Sequence, residues 1–240
     1  MISIIIPTLN EATVIEKTLS NLRSAKKHHC EIIISDGGST DATLEIAKKY
    51  ADTVLVHDGS FRQTIAMGRN DGAKKAHGDF LLFMDSDVTI PGPDNFFDEL
   101  LKTFENKKIS AVGVYIKVLP EYASLSDKII FCLLNWSLVL QNNFLGIGGA
   151  PGEFQVIRRE VFETLHGYRQ DLVAGEDYEF FFRISKKIGK TYFNRHLAVY
   201  HTGRRAHKVG WPRLLLEWWG NGVYIILFNR SRSKVWKEVR

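Results

Sequence analysis

Apolar runs and amphipathic segments alternate along the first half of the chain. Five apolar runs predict buried strands at residues 2–6, 31–35, 53–56, 80–84 and 110–118. Between them, apolar residues recur at the three- and four-residue spacing of a helix. Strands that alternate with helices favour an α/β fold with a Rossmann-like, mostly parallel central sheet, right-handed crossovers and helices on both faces.

The strand at residues 80–84 is apolar at every position and ends abruptly in Asp85-Ser86-Asp87. Such strands lie in the middle of a parallel sheet, and ligands bind beyond their carboxyl ends. Asp85 and Asp87 leave the extended chain on opposite faces, so that they can hold different parts of one ligand. Their oxygen donors suit Mg²⁺ or Mn²⁺ together with a phosphate. The same residues are also common in turns and helix caps.

Polar loops follow the first two predicted strands. Asn10 is placed to cap the helix that follows the first strand, with Glu11 in its first turn. Residues 36–41 form a loop that feeds a second helix. Further on, the glycine-rich residues 146–152 lack the Gly-Lys-Ser/Thr ending of a phosphate loop, and a strand is expected at 154–157.

The composition excludes some classes of protein but does not identify a function. The 240 residues are 45% hydrophobic and 25% charged, which indicates a compact globular chain and excludes a mainly disordered one. The net charge of +5 suits nucleic acid, an anionic membrane or a phosphorylated substrate equally well. Cys30 and Cys132 lack metal-ligand spacing, and no basic leader or uncharged membrane-length run is seen. A reduced, cytoplasmic protein is therefore expected.

Five motifs, in order, carry a family resemblance: residues 7–11 (PTLNE), 36–41 (DGGSTD), 68–73 (GRNDGA), 85–87 (DSD) and 175–180 (GEDYEF). Together they resemble the family 2 glycosyltransferases, inverting enzymes of the GT-A fold, over roughly residues 1–201. The resemblance implies a GT-A domain at residues 1–208. A C-terminal amphipathic helix and basic tail are expected at residues 209–240.

The resemblance also implies which residues bind the donor. The residues expected to contact the nucleotide-sugar are Pro7, Thr8, Asn10, Glu11, Asp36, Arg69, Asp85, Ser86, Arg204 and Arg205. Asp36 would accept hydrogen bonds from the base or ribose, and Arg69 would approach the base or diphosphate. The alternatives are a turn carboxylate for Asp36 and a solvated helix face for Arg69. Exposure in a basic turn is the alternative for Arg204 and Arg205.

Catalysis and metal binding are assigned to a second set of acids. Asp177, at a helix start after Gly175, is the expected general base, with Glu176 as the other candidate. Both acids could instead simply cap that helix. Asp85 and Asp87 would hold Mn²⁺ or Mg²⁺, and His201 is a candidate third ligand by resemblance. A structural histidine is the alternative.

Two stretches are more apolar than a soluble sugar acceptor requires. The C-terminal helix places Leu215, Trp218, Trp219, Ile225 and Ile226 on one stripe near basic residues, which is typical of an interfacial helix on an anionic membrane. Docking on the domain's own core or a homodimer seam are the alternatives. For the apolar residues 129–140, such packing is favoured over membrane contact.

The sequence therefore predicts a metal-dependent inverting glycosyltransferase. It would move a sugar, with mannose or glucose as candidates, from a GDP- or UDP-sugar to an acceptor, plausibly lipid-linked, at the cytoplasmic membrane face. One alternative is a catalytically inactive nucleotide- or nucleic-acid-binding protein. Nucleic acid is disfavoured because the basic residues gather near the end of the chain instead of alternating with aromatic ones. A nucleotidyltransferase is the other alternative, although no glycine-rich phosphate loop follows the first strand.

Overall fold

A computed structural model describes residues 1–25, 27–28 and 30–233. Seven strands form one sheet in the order β3-β2-β1-β4-β6-β5-β7. The strands are β1 (Ile2–Thr8), β2 (Cys30–Asp36), β3 (Thr53–Val56), β4 (Phe80–Met84), β5 (Ile109–Val118), β6 (Phe154–Arg158) and β7 (Lys190–His201). All neighbouring pairs are parallel except those of β6, which runs antiparallel to both β4 and β5. The α/β prediction with a mostly parallel sheet is confirmed.

Helices connect the strands and cover both faces of the sheet. Their bounds are α1 (Ile15–Arg23), α2 (Thr43–Tyr50), α3 (Ile65–Lys75), α4 (Pro93–Glu105), α5 (Leu125–Val139), α6 (Arg159–Thr164), α7 (Glu176–Lys187), α8 (Arg204–Val209) and α9 (Trp211–Phe228). A π-helical segment, Leu140–Leu145, continues α5. Alternate residues of β1 enter two separate cores: Ile4 and Ile6 pack in one, and Ile5 packs in the other. This alternation places an apolar layer on each face.

Local signals predicted some elements well and others poorly. The strands at 53–56 and 80–84 have the expected bounds. The first strand runs past Pro7 to Thr8, pairing there with β2 alone. Asn10 is not a helix cap: α1 begins at Ile15, and Asn10 has a left-handed backbone with φ 54°. Its side chain instead accepts hydrogen bonds from the loop that precedes α2.

The C-terminal helix α9 is docked at its start. Trp211 and Leu214 are buried in the same core as β1 and β5. Among the proposed membrane-contact residues, Leu215 packs partly against that core, whereas Trp219 is 70% exposed. Trp218 is 37% exposed and lies edge-on to Trp211. The side chain of Ile226, like the tail residues Lys234, Lys237 and Arg240, lies outside the described residues.

Candidate active site

A cavity of about 1600 Å³ opens at the carboxyl ends of β1 and β4. This is larger than the roughly 300–1,000 Å³ of most small-ligand sites, so two substrates have room. The predicted residues that line it are Pro7, Thr8, Glu11, Arg69, Asp85, Ser86, Asp87, Glu176, Asp177, His201, Arg204 and Arg205. Asn10 and Asp36 are the predicted site residues outside this lining. The structure therefore brings donor, metal and catalytic candidates to one hollow.

The loop after β4 presents two carboxylates in different surroundings. Asp85 faces the cavity and lies 3.5 Å from an Arg69 nitrogen. Burial, opposed by Arg69 and reinforced by Asp87, raises the pKa of Asp85 to about 6. Asp87 is buried, accepts a hydrogen bond from Thr202, and lies 3.6 Å from the Nε of Arg204. Asp85 is thus the acid more open to a ligand.

The Asp36 loop is held together by its own hydrogen bonds. Asp36 is fully buried, and its two carboxylate oxygens accept from the Thr8 hydroxyl (2.9 Å), the Gly38 amide (2.9 Å), and the amide and hydroxyl of Ser39 (both 2.6 Å). Asn10 Oδ1 in turn accepts from the Thr40 amide at 2.7 Å. These two side chains shape the wall of the cavity next to Ser35 and Gly37.

Arg69 is the buried cation at the centre of the site. It is 2% exposed, and its guanidinium donates to Glu176 Oε1 and to the Gly152 carbonyl, each at 2.9 Å. Its guanidinium also lies over the Tyr168 ring, 5.3 Å from the centroid. Although burial opposes the charged form, the surrounding negative groups raise the pKa of Arg69 above its usual value. The solvated helix face considered for Arg69 is therefore wrong.

The two acids at the start of α7 have separate surroundings. Gly175 precedes them with φ 79°, a conformation that glycine adopts without strain. Glu176 is buried against Arg69, and burial together with Asp177 raises its pKa to about 7. Asp177 is only partly buried in the cavity wall, and burial raises its pKa while Arg69 opposes that rise. Glu176 thus holds Arg69, and Asp177 is more available to a substrate.

Glu153 is an acidic cavity residue that the sequence reasoning missed. It directly precedes β6, and its carbonyl accepts from the Asp85 amide at 3.3 Å. Because β6 is antiparallel, its first residues lie at the edge where the parallel strands end. Burial, with the nearby Asp85, raises the pKa of Glu153 to about 8. The available signal was an acid just before an expected strand, which is informative only once the direction of that strand is known.

The cavity is also lined by His201, Arg204 and Arg205. His201 ends β7 and packs edge-on against Phe131. Within the described part of the chain, its Nε2 is buried without a hydrogen-bond partner, and burial lowers its pKa. Arg204 makes 2.7 Å contacts with both carboxylate oxygens of Glu11, so it is held by an acid and not exposed in a basic turn. Arg205 is half-buried, and burial lowers its pKa.

The side chains of Asp85, Asp87 and His201 offer ligand atoms that suit a hard divalent ion. Asp85 and Asp87 offer carboxylate oxygens, and the orphaned His201 nitrogen is an additional ligand type that Mn²⁺ accepts. Among residues 1–25, 27–28 and 30–233, no three His, Cys, Asp or Glu side chains are already arranged as a metal cage. Arg204 and Thr202 occupy oxygens of Asp87, so metal binding requires side chains to exchange partners.

The fold places a cavity lined by charged side chains at the carboxyl ends of the parallel strands, where α/β folds bind their ligands. A sequence model of glycosyl transferase family 2 matches residues 3–165. The chain belongs to that family, as its motifs indicated.

Several relatives agree with the family assignment. The succinoglycan biosynthesis protein ExoA of Rhizobium meliloti is 30% identical over 200 residues, covering 76% of this chain and 57% of ExoA. A Methanococcus voltae dolichyl N-acetyl-alpha-D-glucosaminyl phosphate 3-beta-D-2,3-diacetamido-2,3-dideoxy-beta-D-glucuronosyltransferase is 28% identical, covering 84% of this chain and 67% of that protein. The chain thus spans little more than half of ExoA and two thirds of the archaeal enzyme.

Solved structures agree with the fold. The mannosyltransferase PcManGT from Pyrobaculum calidifontis, in complex with GDP-Man and Mn²⁺, has a TM-score of 0.68 at 20% identity, covering 84% of this chain and 56% of that one. Residues 1–349 of Staphylococcus aureus TarS, in complex with UDP, have a TM-score of 0.64 at 19% identity, covering 83% and 59%. At these identities the likeness establishes the GT-A fold.

Proposed function

We propose that this protein is an inverting, metal-dependent glycosyltransferase that moves a hexose, mannose or glucose, from a GDP- or UDP-sugar to a lipid-linked acceptor. The observation that carries the proposal is that Asp85, Asp87 and Asp177 line one cavity. A metal-diphosphate site and a base for the acceptor hydroxyl must lie within reach of each other for direct displacement. PcManGT and TarS, whose complexes contain GDP-Man and UDP, support a nucleotide-sugar donor.

Asp177 is the proposed general base. It faces the cavity with its carboxylate partly accessible, and its raised pKa moves it toward the range where a base works efficiently near neutral pH. It would take the proton of the acceptor hydroxyl while the oxygen attacks the anomeric carbon and the nucleoside diphosphate leaves. Glu176 is bound to Arg69, so we assign it to positioning that cation.

The donor diphosphate would lie between the two arginine groups. Arg69 and Arg204 both line the cavity, and each is paired with an acid, Glu176 for Arg69 and Glu11 for Arg204. Asp85, Asp87 and His201 would hold Mn²⁺ or Mg²⁺. When bound, such an ion neutralises negative charge on the leaving diphosphate, an effect worth several kcal/mol in metal-dependent transfer.

The acceptor side of the cavity supports a lipid-linked substrate. Its lining includes the partly exposed Leu134 and Leu138 of α5 together with Leu215 and Trp218 of α9. A free sugar would leave these apolar side chains facing water, whereas a lipid chain would cover them. We therefore propose peripheral membrane contact, with α9 contributing Trp219. No helix of the described residues is both long and apolar enough to cross a bilayer.

The base assignment is tested with Asp177→Asn. Transfer from a panel of GDP- and UDP-sugars is expected to fall by about 10²–10⁴-fold. Binding of the matching nucleoside diphosphate with Mn²⁺, measured by calorimetry, should remain within a few-fold. Asp171→Asn is the matched control because Asp171 is exposed outside the cavity and pairs with Arg169. Near-full turnover of Asp177→Asn would refute the base assignment.

The metal site is tested separately with Asp87→Asn. Mn²⁺ should raise the melting temperature of the wild type in the presence of UDP or GDP, since a ligand of the folded state stabilises it by mass action. The variant should lose most of that increment. Equal nucleotide binding by the wild type with and without Mn²⁺ would refute metal dependence.

A further inference from the structure

Helix α5 carries a row of exposed apolar side chains and buries some of its polar ones, although Ser126, Lys128 and Ser137 remain exposed. Asp127 and Asn135 of α5 and Asn142 of the following π-helical segment are almost fully buried. Asn135 bonds both the amide and the carbonyl of Ile116, and Asn142 donates to the Gly149 carbonyl. A surface helix in water has the reverse arrangement. The outward face of α5 is therefore built for surroundings other than water.

The exposed apolar residues form one continuous stripe, and each is more than half exposed. We call this the α5 stripe; its members are Leu125, Ile129, Leu133, Trp136, Leu140 and Phe144. Steps of three and four residues keep them on one helical face, and the 19-residue span corresponds to about 28 Å. A contiguous exposed patch of this length marks an interaction site.

The stripe is fixed facing outward by the contacts on its other side. Ser124 and Asp127 form a capping box at the start of α5. Asp127 also accepts from the indole Nε1 of Trp211 at 2.7 Å and lies 2.8 Å from His207 Nε2. Turning the stripe inward would break these contacts and would leave Asp127 without replacement hydrogen-bond partners. The outward orientation of the stripe is therefore a stable property of the fold.

The charges near the stripe favour an anionic partner. Lys128 is the exposed charged residue of α5, whose Asp127 is buried. Lys128 directly precedes the stripe residue Ile129 in the sequence. The acid that precedes α5, Glu121, pairs with Lys17 at 3.3 Å. The exposed charged side chain of α5 itself is thus basic, which complements phosphate headgroups.

The inner side of the same helix leads to the proposed chemistry. Phe131, Leu134 and Leu138 alternate with the stripe and line the cavity that also contains Asp177. If α5 lies in the headgroup layer, these cavity-lining apolar side chains lie at the depth of the membrane interface. An acceptor anchored in that layer could then enter the cavity without leaving the lipid.

We propose that the α5 stripe is the main membrane-docking surface, lying in the interface of an anionic bilayer with Trp136 at headgroup level. This extends the interfacial region beyond α9, where Trp219 and Leu216 are exposed. It reverses the sequence-based preference for core packing of residues 129–140. The inference rests on the proposed lipid-linked acceptor, although docking is measured without it.

Vesicle flotation tests the surface directly. The full chain is mixed with phosphatidylcholine vesicles that contain about 30% phosphatidylglycerol. The double substitution Leu133→Ser and Trp136→Ser should lower the partition coefficient by at least about tenfold, since two apolar side chains no longer enter the interface. Val56→Ser is the matched control: Val56 is similarly exposed but lies on β3, at the opposite edge of the sheet. It should float like the wild type.

Two further measurements keep the result interpretable. Nucleoside diphosphate binding by the double variant should be unchanged, which reports a folded site, and Phe144→Ser alone should weaken flotation several-fold. If the wild type does not bind nucleoside diphosphate, the proposed function is refuted, whereas the flotation result remains valid. Wild-type flotation by the double variant would overturn the proposal. Light scattering gives a further outcome. If the wild type is a dimer, the double variant is a monomer and the wild type does not float, the stripe is instead assigned to contact with a second copy of this chain.

Discussion

Replacing Arg69 with methionine should remove the cation that stabilises the acidic edge of the site. Arg69 is 2% exposed, lies 2.9 Å from Glu176 and 3.5 Å from Asp85, and has no water layer to substitute for its charge. Breaking a buried ion pair by removing one partner costs about 3–5 kcal/mol. For a chain of this length, that cost corresponds to a fall in melting temperature of about 6–20 °C.

The loss should depend on pH in a defined direction. Glu176 has a pKa of about 7 in the folded protein, above its ordinary value near 4.5, although Arg69 acts to lower it. The folded state therefore retains a proton that the unfolded chain releases, so stability falls as pH rises through this window. Without Arg69 the pKa rises further. The destabilisation by Arg69→Met should be about 1–2 kcal/mol near pH 5, where Glu176 is neutral, and reach its full size above pH 8.

Urea denaturation at pH 5 and pH 8 measures both quantities. At pH 8, the double variant Arg69→Met with Glu176→Gln should be more stable than Arg69→Met alone by at least about 1 kcal/mol, because no buried acid is then left that must either ionise unpaired or keep a proton that the unfolded chain releases. Arg158→Met is the control. Among the described residues, Arg158 donates to the backbone carbonyls of Ile109 and Phe104 and lies over the Phe80 and Phe104 rings, so its loss leaves no described carboxylate unpaired. Equal destabilisation of Arg69→Met at the two pH values would refute the reasoning.

Three backbone-level predictions can be checked by the same denaturation assay. Gly148→Ala should cost at least about 3 kcal/mol, because the added Cβ would lie 1.9 Å from the Phe181 carbonyl oxygen; an unchanged midpoint would contradict this packing. Gly222→Ala in α9, where no atom of the described residues outside the helix's own backbone lies within 4 Å of the new Cβ, should stabilise by up to about 1 kcal/mol, and a loss would count against the helix. Asn135→Ala should cost about 2–5 kcal/mol by leaving two backbone groups of Ile116 unpaired, and a cost below 0.5 kcal/mol would show that water replaces them.

The sheet was largely predictable because its central strands are buried on both faces. Such strands are apolar throughout, and the run at residues 80–84 accordingly gave the full extent of β4. Strand direction is a tertiary property with no local signal. The antiparallel course of β6 was therefore not predicted, and with it the place of Glu153 beside Asp85 was missed.

The side-chain pattern predicts structure poorly where one residue type suits both a local role, such as a helix cap, and a tertiary contact. Asn10 satisfies the preference for a helix cap, but an asparagine is equally suited to a left-handed residue that bonds a neighbouring loop. For residues 129–140, packing on the domain's own core or at a homodimer seam was favoured over membrane contact. Phe131 does pack in the core, whereas Ile129 and Leu133 stay exposed. The polar pattern could not show this division, because Asn135 turns inward to bond the backbone of Ile116 in β5.

The insertion of β6 divides the sheet into two parallel blocks, β3-β2-β1-β4 and β5-β7. One block carries Thr8 and the Asp85 loop, and the other carries His201. The reversed strand β6 joins them, with the Thr89–Tyr200 bridge as a further link. Because the Arg69–Glu176 and Glu11–Arg204 pairs also cross this seam, we expect it to tolerate recombination where both pairs are kept. Chimeras that keep residues up to the seam and take the remainder from another family member should retain their nucleotide preference while acquiring a new acceptor.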